Sequence, residues 1–159
     1  MTEPVDIILT VNGAAHRLSV EPRILLSDAI RHHLGLPGTH VGCEHGVCGA
    51  CTILVDGAPA RSCLMFAIQA QGRKLETVES LAINGELNAL QKAFHDAHAL
   101  QCGYCTPGIL MSTTAFLKET PAPDEEQVRD MLSGHLCRCS GYQHIVDAVL
   151  AAAQRLSEA

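Results

Sequence analysis

The sequence predicts an α+β fold in two successive parts: a small mixed β-sheet crossed by one helix over residues 1–79, then an all-helical part over residues 80–159. Three observations predict it. Period-two alternation with hairpin punctuation is confined to the first part, helical spacing takes over beyond Val78, and the eight cysteines divide four and four, one set to each part. With 47% hydrophobic but only 3% aromatic residues in 159, the chain can build one compact domain or two small ones. Small cores of this kind are often stapled by metal centres.

Each element has a local reason. Ile7, Leu9 and Val11 alternate with Ile8 and Thr10; Asn12-Gly13 supplies the signal for a tight two-residue turn, and a second strand follows through Arg17-Leu18-Ser19-Val20. Leu25, Leu26, Ala29, Ile30 and Leu34 recur at helical spacing, with Gly35 and Pro37 ending the segment. A glycine-cysteine loop comes next. Thr52-Ile53-Leu54-Val55 and Asp56-Gly57 read as strand and turn, a short returning strand leads to Cys63, and Lys74 to Val78 adds a further strand. Asn84-Gly85 then marks a linker or turn. Leu87, Leu90, Phe94 and Ala97 form one helical stripe, and Ile109, Leu110, Thr113, Phe116 and Leu117 a second, behind Thr106 as N-cap and Pro107 as first helical residue. Asp124 and Gln127 make a capping box before Val128, Met131 and Leu132, with Gly134 as the stop. Ser140 caps a last helix carrying Ile145, Val149, Ala152 and Leu156, which completes a four-helix bundle.

Net charge is −6 and the eleven Lys and Arg are scattered, so nucleic acid is not an expected partner. No apolar run approaches the roughly twenty residues of a membrane span. Met1 to Asp6 is acidic, without the basic and apolar regions of a secretory signal or a twin-arginine pair, so a cytoplasmic location is expected.

The cysteines carry the chemistry. Cys43, Cys48, Cys51 and Cys63 read C-x4-C-x2-C followed by a distant fourth, the plant-type ferredoxin spacing for a [2Fe-2S] cluster. Three glycines, Gly42, Gly46 and Gly49, interleave with the first three thiols and let the loop close around a cluster. Cys102 and Cys105 as C-x2-C with Cys137 and Cys139 as C-x-C form the second set, less diagnostic alone and placed at helix N-termini that favour thiolate charge. A disulfide framework would need an oxidising compartment, and zinc competes for any four thiolates, though it usually takes two short C-x2-C knuckles. Cysteine already fills both sites, so a Rieske arrangement among the nine histidines is unnecessary, and His45 and His135 read as solvated or interface side chains. No Ser-His-Asp set, phosphate loop or dinucleotide fingerprint is present. Glu125-Glu126 is explained by a helix's first turn.

Gly42-Cys43-Glu44-His45-Gly46-Val47-Cys48-Gly49-Ala50-Cys51-Thr52, Gln101-Cys102-Gly103-Tyr104-Cys105-Thr106-Pro107-Gly108 and Leu136-Cys137-Arg138-Cys139-Ser140-Gly141-Tyr142 together resemble the iron-sulfur small subunit of molybdenum hydroxylases. That is the family of xanthine oxidase, aldehyde oxidoreductase and aerobic CO dehydrogenase. The resemblance runs from Ile7 to about Leu156, with His135 where the family usually has asparagine and Ser140 where threonine is common. It implies a β-grasp, plant-type [2Fe-2S] ferredoxin-like domain followed by a four-helix-bundle [2Fe-2S] domain. It further implies an electron-transfer role without substrate chemistry on this chain. Electrons would pass from molybdopterin, as its cytosine dinucleotide on a large partner subunit, through the set of Cys102, Cys105, Cys137 and Cys139. They would continue through Cys43, Cys48, Cys51 and Cys63 to FAD on a medium subunit or to an external acceptor. The assembly implied is a hetero-oligomer such as a dimer of heterotrimers, periplasmic only if a partner carries the export signal. Gln101 and Cys139 are then expected within hydrogen-bonding reach of the pterin. A stand-alone two-cluster ferredoxin and a zinc-binding interaction module are the alternatives.

Overall fold

The computed structural model describes residues 3–158; Met1 and Thr2, which open the acidic N-terminal stretch, lie outside the described residues. Strands β1 (Val5–Val11) and β2 (Ala14–Val20) form the expected hairpin, with Asn12 and Gly13 both at positive φ as its two-residue turn requires. Strands β3 (Thr52–Val55), β4 (Ala58–Arg61) and β5 (Lys74–Glu76) complete a five-stranded sheet in the order β2-β1-β5-β3-β4. β1 runs parallel to β5 and the other pairs are antiparallel, so the sheet is mixed. Pro59 sits in edge strand β4, where a missing N–H costs no ladder bond. The helix expected over Leu25–Leu34 is a short α-turn, α1 (Leu26–Asp28), running straight into a π-turn, Ala29–His33. It still buries Leu26, Ala29 and Ile30 against Ile7, Leu9, Val11, Ile53 and Leu75.

Four helices follow: α2 (Ala89–Asp96), α3 (Thr106–Glu119), α4 (Glu125–Leu132) and α5 (Tyr142–Ser157). Reciprocal capping boxes start two of them, Asn88 with Gln91 at α2 and Asp124 with Gln127 at α4. Two expected caps differ. Cys105, and not Thr106, is the N-cap of α3, and the Thr106 hydroxyl is buried without a partner. Ser140 takes positive φ and leaves Gly141 as the N-cap of α5, with no side-chain cap.

Strand β3 joins the two parts. All four of its residues are buried: Ile53 and Val55 enter the sheet core, while Leu54, pointing the opposite way, enters the helical core with Ile109, Met111, Val128, Ile145 and Val149. The cysteine loop runs directly into this strand, so α3 lies against the loop's base. Gly108, in the first turn of α3, shows how closely: a Cβ there would collide with the carbonyl oxygen of Gly49 and come within 3.0 Å of that of Ala50.

Candidate metal centres

The first four thiols come from a single loop and one short turn. Cys43, Cys48 and Cys51 lie between the π-turn and β3, and Cys63 lies in the 3-10 turn Ser62–Leu64 just after β4. The second four come from two helix approaches: Cys102 and Cys105 lead into α3, and Cys137 and Cys139 connect α4 to α5. All eight are free thiols.

Within each set the thiols associate two by two. Cys43 pairs with Cys48 and Cys51 with Cys63; Cys102 pairs with Cys139 and Cys105 with Cys137. Two pairs side by side are the donor set of a two-iron cluster, in which each iron takes two thiolates. The set therefore fits a [2Fe-2S] cluster.

The thiols within each set differ in shelter: in the first, Cys43 is half-buried and Cys63 buried, and in the second, Cys102 is exposed and Cys105 half-buried. Backbone N–H groups, first that of Cys48 at 3.4 Å and then that of His45, hold the Cys43 thiol down at about 6. Burial, then the neighbouring Cys51, pushes Cys63 up to about 12. In the helical set the Tyr104 N–H, then Cys139, lowers Cys102, whereas burial, then Cys137, pushes Cys105 up to about 12. Cys43 is thus the readiest of these to bind iron as thiolate, and Cys63 and Cys105 must release their protons on binding.

The two sets face each other across a hydrogen-bonded seam. The Leu136 N–H donates to the Cys48 carbonyl at 3.0 Å, a bond between neighbours of one thiol set and a member of the other. Arg61 donates to the Gly134 carbonyl at 2.5 Å and to the Thr52 hydroxyl, which in turn donates to the Gly49 carbonyl at 2.6 Å. His135, expected as a solvated or interface side chain, is buried within the chain at 3% exposure, with Nε2 2.8 Å from the Ser112 hydroxyl and Nδ1 unpartnered. Burial, then the Arg61 charge, holds its imidazole down at about 4, so it is neutral. Cysteine spacing does not point to Arg61, Ser112 or Tyr142. The Tyr142 hydroxyl accepts from the Cys137 N–H at 2.8 Å and donates to the His135 carbonyl at 3.2 Å. Gln101 and Cys139 do meet: the glutamine amide nitrogen lies 3.4 Å from the Cys139 carbonyl, on an exposed face.

A family model described as "2Fe-2S iron-sulfur cluster binding domain" matches residues 9–82, and one described as "[2Fe-2S] binding domain" matches residues 77–150. The chain is 58% identical to the caffeine dehydrogenase subunit gamma of Pseudomonas sp. (strain CBB1), over 90% of this chain and 87% of that one. It is 53% identical to the nicotine 6-hydroxylase small subunit of Paenarthrobacter nicotinovorans, over 94% and 90%. Among solved structures it superposes on quinoline 2-oxidoreductase from Pseudomonas putida 86 with a TM-score of 0.94 at 50% identity, covering 99% of this chain and 98% of that one. Two cluster domains in this order, at this identity and over this length, place the chain in the iron-sulfur small subunits of the molybdenum hydroxylase family, the electron-transfer subunits of multi-subunit oxidoreductases.

Proposed function

We propose that Cys43, Cys48, Cys51 and Cys63 hold one [2Fe-2S] cluster and Cys102, Cys105, Cys137 and Cys139 the other. The pairwise association of the thiols, repeated on both sides of one seam, carries this assignment. When bound, such a cluster supplies one-electron redox chemistry with its thiolate cage unchanged. The chain's own residues fix the path: the seam brings the two cages together, and Gln101, steadied on the Cys139 carbonyl, presents an amide to a pterin on a large molybdopterin subunit. Exposed Leu100 and Leu136 near the helical set suit burial against that subunit, as Val47 and Leu64 beside the other set suit a medium, FAD-binding subunit. We place the boundary between the two domains at 79/80, just after the sheet's last strand, and the assembly, a dimer of heterotrimers, in the cytoplasm, where thiols stay reduced.

Similar subunits are named for enzymes of caffeine, nicotine and quinoline. All three compounds are N-heteroaromatic, which supports such a ring as the substrate of the holoenzyme. The test is electron paramagnetic resonance of the natively purified, dithionite-reduced complex, with iron, zinc and molybdenum measured on the same sample. Two distinguishable cluster signals with about four irons per chain and accompanying molybdenum are expected. A silent sample carrying zinc in place of iron would overturn the assignment.

A further inference from the structure

Tyr104 stands between two thiols of the helical set, yet its side chain reaches into the loop of the other set. Its hydroxyl donates to the Val41 carbonyl at 2.7 Å, two residues before Cys43. Its own carbonyl accepts from His40 Nδ1 at 2.8 Å, and the two rings stack with centroids 4.7 Å apart and planes 20° from parallel. Gly42 shows how near the ring comes to the first set: a Cβ on that glycine would lie 3.1 Å from Cys48 Sγ and 3.6 Å from Tyr104 Cε1. The ring also borders a cavity of about 290 Å³ lined by Cys48 of the first set and by Cys102, Cys105 and Cys137 of the second. One aromatic residue therefore grips residues 40–42, shares a cavity with Cys48 of the first set, and is covalently placed between two thiols of the second.

We propose that Tyr104 is a positioning residue that fixes the separation and orientation of the two clusters by clamping the 40–42 loop to the helical set. This rests on the ligand assignment proposed above. The Leu136 to Cys48 backbone bond also crosses the seam and involves no side chain, so it survives any change at Tyr104. Loss of the clamp should accordingly loosen the relation between the clusters without removing either.

The experiment compares wild type, Y104F and Y104A as intact, natively purified holoenzyme. Metal analysis and the count of cluster signals test the ligand assignment; two other readouts test the clamp. The first is the magnetic interaction between the two reduced clusters, seen as splitting of their paramagnetic signals. The second is amide hydrogen exchange over residues 39–43. Y104F keeps the ring and its backbone, so it should retain full iron while exchange in this loop quickens about fivefold, the expected effect of one lost hydrogen bond on local opening. Y104A, which also loses the stack on His40, should show the larger change, with splitting reduced and spread over a range of values. If both variants keep wild-type splitting and wild-type exchange at full iron content, the clamp is wrong and the ligand assignment stands. If wild type shows fewer than two cluster signals or falls well short of about four irons per chain, the ligand assignment fails instead.

Discussion

At the helical thiols, the Tyr142 side chain ties the backbone of Cys137 to that of His135. The Tyr142 hydroxyl is the only hydrogen-bond acceptor assigned to the Cys137 N–H among the described residues, and it also donates to the His135 carbonyl. Y142F keeps the ring and strands that N–H, so a loss of about 1–2 kcal/mol is expected in urea unfolding. The cluster signal of the helical set should shift while the other signal stays put, because hydrogen bonding near the sulfurs helps set cluster electronics. His135 makes a pH prediction. Its imidazole is held at about 4 in the fold against 6.5 for an ordinary histidine, so the unfolded chain binds the proton first as pH falls. Its contribution to stability is complete above 6.5, drains away as pH drops towards 4, and is flat below that. At pH 5 the fold should have lost about 2 kcal/mol through this group alone. H135N, with no titrating ring, should lack that part of the slope; equal slopes in the two proteins would mean that the ring is not buried neutral.

Among the elements, α3 does most to hold the two parts in register, and its close approach is glycine-dependent. The atoms that a Cβ on Gly108 would meet are backbone carbonyls of the cysteine loop, which cannot swing aside as a long side chain can. G108A should cost several kcal/mol, on the order of overpacking a dense core, and should lower the iron content of the first set even though Gly108 lies in the helical part. N88A offers a contrast. It removes a capping box at the far end of α2 and should cost about 1 kcal/mol with both cluster signals unchanged. These elements were legible in the sequence to different degrees. The hairpins, the box at Asp124 and the four helical stripes follow from local rules of period and capping. Thr106, Ser140 and His135 were misread because tertiary packing decides them: the chain reaches α3 and α5 through tight cysteine-bearing turns, and the buried face of His135 is formed by a loop some ninety residues earlier. The identity of both thiol sets was visible as spacing; their division into pairs and the seam between them required the fold.

At the scale of the whole molecule, the two sets are neither independent modules nor interchangeable, and removing one at a time should show which stands first. β3 feeds one face into each core, and the seam bonds of Leu136 and Arg61 join the thiol loops directly. C63S removes a sheltered ligand of the first set, and C105S one of the second. Each should bring iron to about two per chain and erase one signal. Their responses to substrate should differ. In the C63S holoenzyme, substrate still reduces the remaining helical-set cluster, but FAD or the external acceptor receives nothing. In C105S, substrate reduces neither, although dithionite reduces the surviving cluster readily. The asymmetry follows from the order proposed above: the helical set carries the exposed Gln101–Cys139 face that we propose meets the pterin, whereas the first set is flanked by exposed Val47 and Leu64 across the seam. If substrate bleached the surviving cluster in C105S and not in C63S, the order of the two centres would be reversed, and the Gln101 face would have to be reassigned to the acceptor side.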